Sequence, residues 1–262
     1  MDTLQTLMLG VVQGIGEFLP ISSSANLAVV SKIFKFATCS FETKVALHAG
    51  SLLALIFYFR QTLWRIFLGL FTNKVKLSQT EFYTMVIATL PVVIIGSILH
   101  RFIKGFDSNI ITGILLIVFG ILLWLSDIMS VNKLAQRCTK STHVRDCLIG
   151  VFQSMAILPG VSRLGICTTA CRLFNINRKQ AITTSLLLAI PSIAGSLCIE
   201  LFTIFKDDAI HLFNRTNLIG MLVSGIVGII ALPICIKYME NHGFFGIMCY
   251  RILLGLTVIF AL

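Results

Sequence analysis

Gln13 and Glu17 stand four residues apart, so on a helix an amide oxygen and a carboxylate share one face. Ser22, Ser23 and Ser24 follow, three hydroxyls in a row. A second polar run, Pro159-Gly160-Val161-Ser162-Arg163-Leu164-Gly165, lies far down the chain. Arginine presents a planar fork of donors suited to phosphate oxygens. Serine hydroxyls bind phosphate or attack it. A carboxylate with an amide oxygen beside it can hold a hydrated divalent cation or handle a proton. Exposed N–H groups at a broken helix end attract anions, and Gly160 and Gly165 permit close backbone approach. Together these groups describe a phosphate site. A plain Glu17–Arg163 ion pair would explain the two charges but not the hydroxyls and glycines around them, and the residues alone leave both readings open.

The surroundings of these groups are apolar. Of 262 residues, 56% are hydrophobic and 12% charged, and the mean hydropathy is +0.93. A soluble domain carries about twice that charged fraction, so the bilayer is the solvent that fits. The net charge is +10, but the Lys and Arg are scattered singly, with no basic stripe interleaved with aromatics, so nucleic acid is not the expected partner. Eight Cys are spread through apolar sequence without a CxxC pair; Cys167 and Cys171, at i and i+4, read as filler within spans. Met1-Asp2 opens the chain with no basic residue before the first apolar stretch, so the first apolar segment is expected to be retained.

Six segments are long enough, or nearly so, to cross a bilayer: Val45–Phe59, Phe82–Leu99, Ile110–Met129, Ala181–Phe205, Leu218–Ile236 and Phe244–Leu262. Two more, Leu4–Val30 and Cys147–Leu173, are apolar at both ends and broken by the polar runs. Broken backbone at membrane depth must line a cavity or be satisfied by protein, so both segments read as re-entrant helix–loop–helix hairpins. They also match each other. Gly10-Val-Val-Gln13 parallels Gly150-Val-Phe-Gln153, Leu19-Pro20 parallels Leu158-Pro159, and Ala49-Gly-Ser-Leu52 parallels Ala194-Gly-Ser-Leu197. The expectation is an all-α integral membrane protein, one domain over 1–262, made of repeats 1–130 and 131–262. Each repeat holds a hairpin plus three spans. Three is odd, so the second repeat enters from the opposite side, and in inverted repeats the working site lies between the halves. Loops Arg60–Glu81, Val131–Asp146, Arg172–Gln180 and Lys237–Gly243 hold twelve Lys or Arg, against seven in Ser31–Lys44, His100–Asn109 and Lys206–Asn217. The first set is therefore assigned to the cytoplasm.

Ionisable groups inside spans are costly and hence functional candidates. Besides Glu17 and Arg163 these are His48, Glu200 and Arg251. His48 and Glu200 read as polar groups packed against neighbouring helices, Arg251 as a group that snorkels or pairs with an acid, and Asp127 as an interfacial residue.

The runs Gln13-Gly-Ile-Gly-Glu17-Phe-Leu-Pro-Ile-Ser22-Ser23-Ser24 and Pro159-Gly-Val-Ser162-Arg163 resemble the two motifs of the undecaprenyl-pyrophosphate phosphatases, the bacitracin-resistance membrane phosphatases. The resemblance covers essentially the whole chain. It implies an enzyme of the bacterial plasma membrane, working at the outer face on a polyprenyl pyrophosphate with a divalent cation, Mg2+ or Ca2+. The product would be the monophosphate carrier of cell-wall and surface-glycan assembly. It assigns Glu17, Ser23 and Arg163 to catalysis, with Ser23 as the nucleophile. Gln13, Ser22, Ser24, Asn26, Gly160 and Ser162 go to substrate binding, and Glu17 with Gln13 to the cation. The partners are the lipid and the bilayer, with a homodimer admitted. Three positions depart from the family's pattern: Asn26 stands at its histidine, Leu164 at its second serine and Cys167 at its threonine. Asn cannot shuttle a proton as His can, although it can still donate a hydrogen bond to phosphate. A lipid flippase using the same site, or a family member of reduced activity, are the alternative readings.

Overall fold

The computed structural model describes residues 2–37, 39–71, 76–99, 108–131, 143–206 and 214–262. Cys138 and the charged positions expected between spans within 72–75, 100–107, 132–142 and 207–213 lie outside the described residues. Every regular element among the described residues is helical. The helices are α1 (Thr3–Gly16), α2 (Ser23–Ile33), α3 (Phe41–Tyr58), α4 (Arg60–Phe71), α5 (Lys76–Leu99), α6 (Asn109–Val131), α7 (His143–Ser154), α8 (Arg163–Leu173), α9 (Arg178–Lys206), α10 (Arg215–His242) and α11 (Phe245–Ala261).

Both interrupted segments fold as helix–break–helix, α1 onto α2 and α7 onto α8. The breaks fall where the sequence places Pro, Gly and hydroxyls. α1 stops at Gly16 and α2 starts at Ser23. α7 runs into a single 3₁₀ turn at Met155–Ile157, and α8 starts at Arg163 with the Ser162 hydroxyl accepting a hydrogen bond from the Gly165 N–H at 3.2 Å. The far ends of α2 and α8 are also alike. Lys35 and Asn175 take the left-handed conformation, φ 52° and 58°. The Phe36 and Ile176 N–H groups then return to the Ser31 and Cys171 carbonyls at 2.8 and 3.0 Å, the usual way a helix end satisfies orphan carbonyls.

Every expected span is helical, but two differ from expectation. Four helices, α5, α6, α9 and α10, are long and apolar enough to cross a membrane, which makes the chain multi-pass. α3 qualifies only together with α4, from which it is bent by 68°, and α11 has 17 residues, about 25 Å of helix. The stretch Arg60–Glu81 was expected to be a loop. Its apolar residues instead recur at helical spacing and form α4, while Lys76 onward belongs to α5.

The packing exchanges partners between the first and second halves of the chain. α1 lies on α10 and α7 on α5; α8 lies on α6 and α2 on α11. α5 and α10 each carry an internal proline, Pro91 and Pro233. α6 crosses α11 at Gly113 and Gly255, where a Cβ on Gly113 would lie 2.6 Å from the Gly255 carbonyl oxygen and one on Gly255 would lie 2.7 Å from that of Gly113. Small residues at such a crossing let two apolar helices gain dispersion contact in a solvent that gives no hydrophobic drive. The main core gathers Phe18 of the first break with Leu164, Ile182, Leu186 and Leu232 of α8, α9 and α10.

Gly255→Ala forces α6 and α11 apart and is expected to cost on the order of 1–3 kcal/mol, read as a lower melting temperature in detergent. Gly195→Ala, whose Cβ meets nothing within 4 Å, is expected to leave that temperature unchanged or higher.

Candidate active site

The break after α1 and the start of α8 converge on Glu17. Its Oε2 accepts hydrogen bonds from the Ser23 hydroxyl at 2.7 Å and from the Gln13 amide at 3.0 Å, and its Oε1 lies 3.7 Å from Arg163 Nη1. The i, i+4 spacing of Gln13 and Glu17 thus does bring them together. Ser23 reaches the carboxylate because α2 begins at that residue. Two polar atoms here are buried without a hydrogen-bond partner, Gln13 Oε1 and Arg163 Nη1. A buried polar atom left unsatisfied costs about 1–3 kcal/mol. One is an acceptor and the other a donor, so a cation and an anion would satisfy them in turn.

The other assigned residues build the frame. Ser22 is held at φ 65°, a strained conformation for a residue with a Cβ, and its hydroxyl meets that of Ser24 at 3.3 Å. Asn26 was expected to donate to phosphate. Its amide instead donates to the Ile21 and Ser22 carbonyls at 3.2 and 2.9 Å, and its oxygen accepts from the Tyr250 hydroxyl. It staples the loop to α11. Gly160 has φ +87°, and a Cβ there would lie 2.5 Å from the Thr112 carbonyl oxygen, so the turn and the contact with α6 require glycine. Ser162 caps α8. Leu164 and Cys167, 3% and 0% exposed, lie in core clusters, so the departures at 164 and 167 fall where apolar packing is needed. Thr168 faces α9, donating to the Ser185 hydroxyl at 3.1 Å.

Three ionisable residues take positions their sequence did not show. His48 and Glu200, read as packing groups, belong to the site. His48 Nε2 lies 3.8 Å from Glu17 Oε2, and Glu200 interacts electrostatically with His48 and Arg163. Their signal was the cost of an ionisable group in a span; their common address depends on how α3 and α9 pack. Arg251 does not snorkel, and among the described residues it meets no acid. It is 0% exposed, and its guanidinium donates to three carbonyls at 3.0 Å each: Leu116 of α6, Pro20 of the first break and Gly160 of the second. Gly120 of α6 leaves room for its stem. Asp127, near the end of α6, is 4% exposed and bound by Arg172 at 2.9 Å and Arg178 at 2.7 Å.

Two broken helices facing each other around one carboxylate, one serine and one arginine are a restrictive pattern, and the chain matches the family described as bacitracin resistance protein BacA over residues 6–257. The chain belongs to this family. Similar proteins include the undecaprenyl-diphosphatases of Pelotomaculum thermopropionicum, 34% identical over 99% of this chain and 96% of the relative, and of Desulforudis audaxviator, 35% identical over 99% and 97%. That of Pelagibacter ubique is 34% identical over 98% and 96%. As a BacA-family member the chain is a membrane phosphatase by descent, and the groups around Glu17 are those that phosphoryl chemistry uses.

A divalent cation was expected at Glu17 and Gln13. The donors fit a hard ion, since Glu17, Ser23 and the unpartnered Gln13 Oε1 are all oxygens. Among the described residues no group of three or more His, Cys, Asp or Glu could hold a metal by itself, so substrate oxygens would complete the coordination, as is usual for Mg2+.

Removing Arg251 leaves three buried carbonyls without their donor. Arg251→Met is expected to destabilise the protein by on the order of 3 kcal/mol or more, seen as a lower midpoint on titrating the detergent-purified protein with SDS. Arg251→Lys, which cannot span three acceptors, is expected to recover only part of the loss.

Proposed function

We propose that this chain hydrolyses undecaprenyl diphosphate, or a similar polyprenyl diphosphate, to the lipid monophosphate and inorganic phosphate. The observation that carries the proposal is the Ser23 hydroxyl donating to Glu17 at 2.7 Å, with Arg163 on the other side of the same carboxylate. The relatives' names supply the substrate.

Ser23 Oγ attacks the terminal phosphorus and passes its proton to Glu17. The bond from that phosphorus to the bridging oxygen breaks, and the polyprenyl monophosphate leaves, taking that proton from Glu17. Water then attacks the phosphoserine, giving its proton to Glu17; the Oγ–P bond breaks, Glu17 returns the proton to Ser23 Oγ, and phosphate and free serine are restored. Arg163 donates to the non-bridging oxygens, where charge shifts during transfer. A divalent cation held by Glu17 and Gln13 would neutralise the diphosphate. The exposed apolar faces of the helices leave the isoprenoid tail in the bilayer.

The chain is read as two inverted repeats, 1–130 and 131–262, with the site between them. The matching caps of α2 and α8 and the exchanged packing partners support this reading. The site is assigned to the outer face of a bacterial plasma membrane. His48 is seven residues into α3 and Glu200 six from the end of α9, about 10 Å from those helix ends. Both ends adjoin the loops poorer in Lys and Arg.

Purified protein given a polyprenyl diphosphate and Mn2+, Mg2+ or Ca2+ is expected to release phosphate in a cation-dependent manner. Glu17→Gln, Ser23→Ala and Arg163→Ala are each expected to lower the rate by about 100-fold or more. Lipid binding or transport without phosphate release by the parent would overturn the proposal in favour of a flippase. Asn26→His, which breaks the staple to Ile21, Ser22 and Tyr250, is expected not to raise the rate; a faster enzyme would show that an imidazole at position 26 is chemically needed.

A further inference from the structure

His48 is not accounted for by the mechanism, yet it faces the acid at its centre. Its Nδ1 lies 2.8 Å from the Lys44 carbonyl oxygen. A carbonyl only accepts, so Nδ1 carries the hydrogen and the neutral ring presents a bare lone pair at Nε2. Metal-binding imidazoles are ordinarily fixed in this way. Nε2 stands 3.8 Å from Glu17 Oε2, too far for a hydrogen bond. Two donors bound to one ion at about 2.0–2.2 Å each are separated by roughly 3–4 Å, which matches this spacing. Gln13, 0% exposed, adds an independent sign. Its Nε2 donates to Glu17 Oε2 at 3.0 Å while its Oε1 has no partner. A half-turn of that amide would bring Oε1 to the carboxylate's side, an arrangement that only a cation between the two oxygens makes favourable.

We infer that His48 is a ligand of the divalent cation, its Nε2 sharing the ion with Glu17 and Gln13. This inference rests on the proposal that the site works with a cation, and it specifies which. One nitrogen among oxygen donors favours a transition-metal ion such as Mn2+ or Co2+, which accepts imidazole, over Ca2+, which takes oxygen ligands. The imidazole is contributed by α3, outside both polar breaks.

The test uses full-length protein, purified in detergent on an affinity tag without histidines, with Mn2+ alone as the probe. Pulsed electron paramagnetic resonance detects an imidazole nitrogen bound to Mn2+ through its 14N modulation. The parent is expected to show that modulation. His48→Gln is expected to lose it and to bind Mn2+ roughly tenfold or more weakly, while His143→Gln and His242→Gln keep it. His48→Glu, which restores an oxygen ligand, is expected to bind Mn2+ without 14N modulation and to shift competition towards Ca2+. Mn2+ bound with the parent's affinity by His48→Gln, and removed only by Glu17→Gln, would overturn the role of His48 and leave the cation reading standing. A parent that binds no Mn2+ sensitive to Glu17→Gln would overturn both.

Discussion

The guanidinium of Arg251 sits fully buried with no carboxylate paired to it among the described residues, and it spends its donors on three backbone carbonyls. Each carbonyl is exposed by a local departure from helical bonding or lies on the neighbouring α6. Broken backbone in an apolar medium leaves polar groups that something must satisfy, and here one side chain from the last helix does so for both breaks. The charge is expensive to bury, and removing it would leave the breaks without a common anchor. The positions of Ser23 and Arg163 follow from that anchor, because α2 and α8 begin just beyond the carbonyls of Pro20 and Gly160 that it holds.

The two hairpins share a plan but not a job. Ser22 and Ser162 both precede the first residue of a helix, and the next residue is Ser23 in one and Arg163 in the other. The same position in the two hairpins therefore presents a hydroxyl on one side and a cation on the other, although Ser22 sits at φ 65° without a cap bond and Ser162 at φ −66° with one. Glu17 lies between them, bonded to the hydroxyl and facing the guanidinium. Neither hairpin holds both a nucleophile and a charge clamp. The exchange of packing partners, α1 with α10 and α7 with α5, is what carries the two breaks to the same place.

Much of this was legible in the sequence. The breaks were marked by Pro20 and Pro159, the apolar runs gave the helices, and the i, i+4 spacing of Gln13 and Glu17 put them on one face. What was not legible depends on tertiary distance. His48 and Glu200 stand alone in α3 and α9, and nothing local says that α3 presents His48 to Glu17 or that α9 brings Glu200 near His48 and Arg163. Asn26 looked like a weakened catalytic residue, but both its amide hydrogens go to backbone carbonyls of the loop. α4 was missed because its flanking Arg and Lys matched a loop at the membrane surface, whereas Leu63, Ile66 and Phe67 make it amphipathic. The departures at Leu164 and Cys167 looked like losses of function and are, in the fold, core positions.

The central claim is that the two breaks make one phosphate site, fixed from behind by Arg251. An experimental structure with a non-hydrolysable methylene diphosphonate of a polyprenol tests it most directly. The terminal phosphonate is predicted to lie between the Ser23 hydroxyl and the Arg163 guanidinium, with Arg251 still on the carbonyls of Pro20, Gly160 and Leu116. A phosphonate bound away from Ser23 and Arg163, or an Arg251 that has left those carbonyls to bind it, would contradict the account.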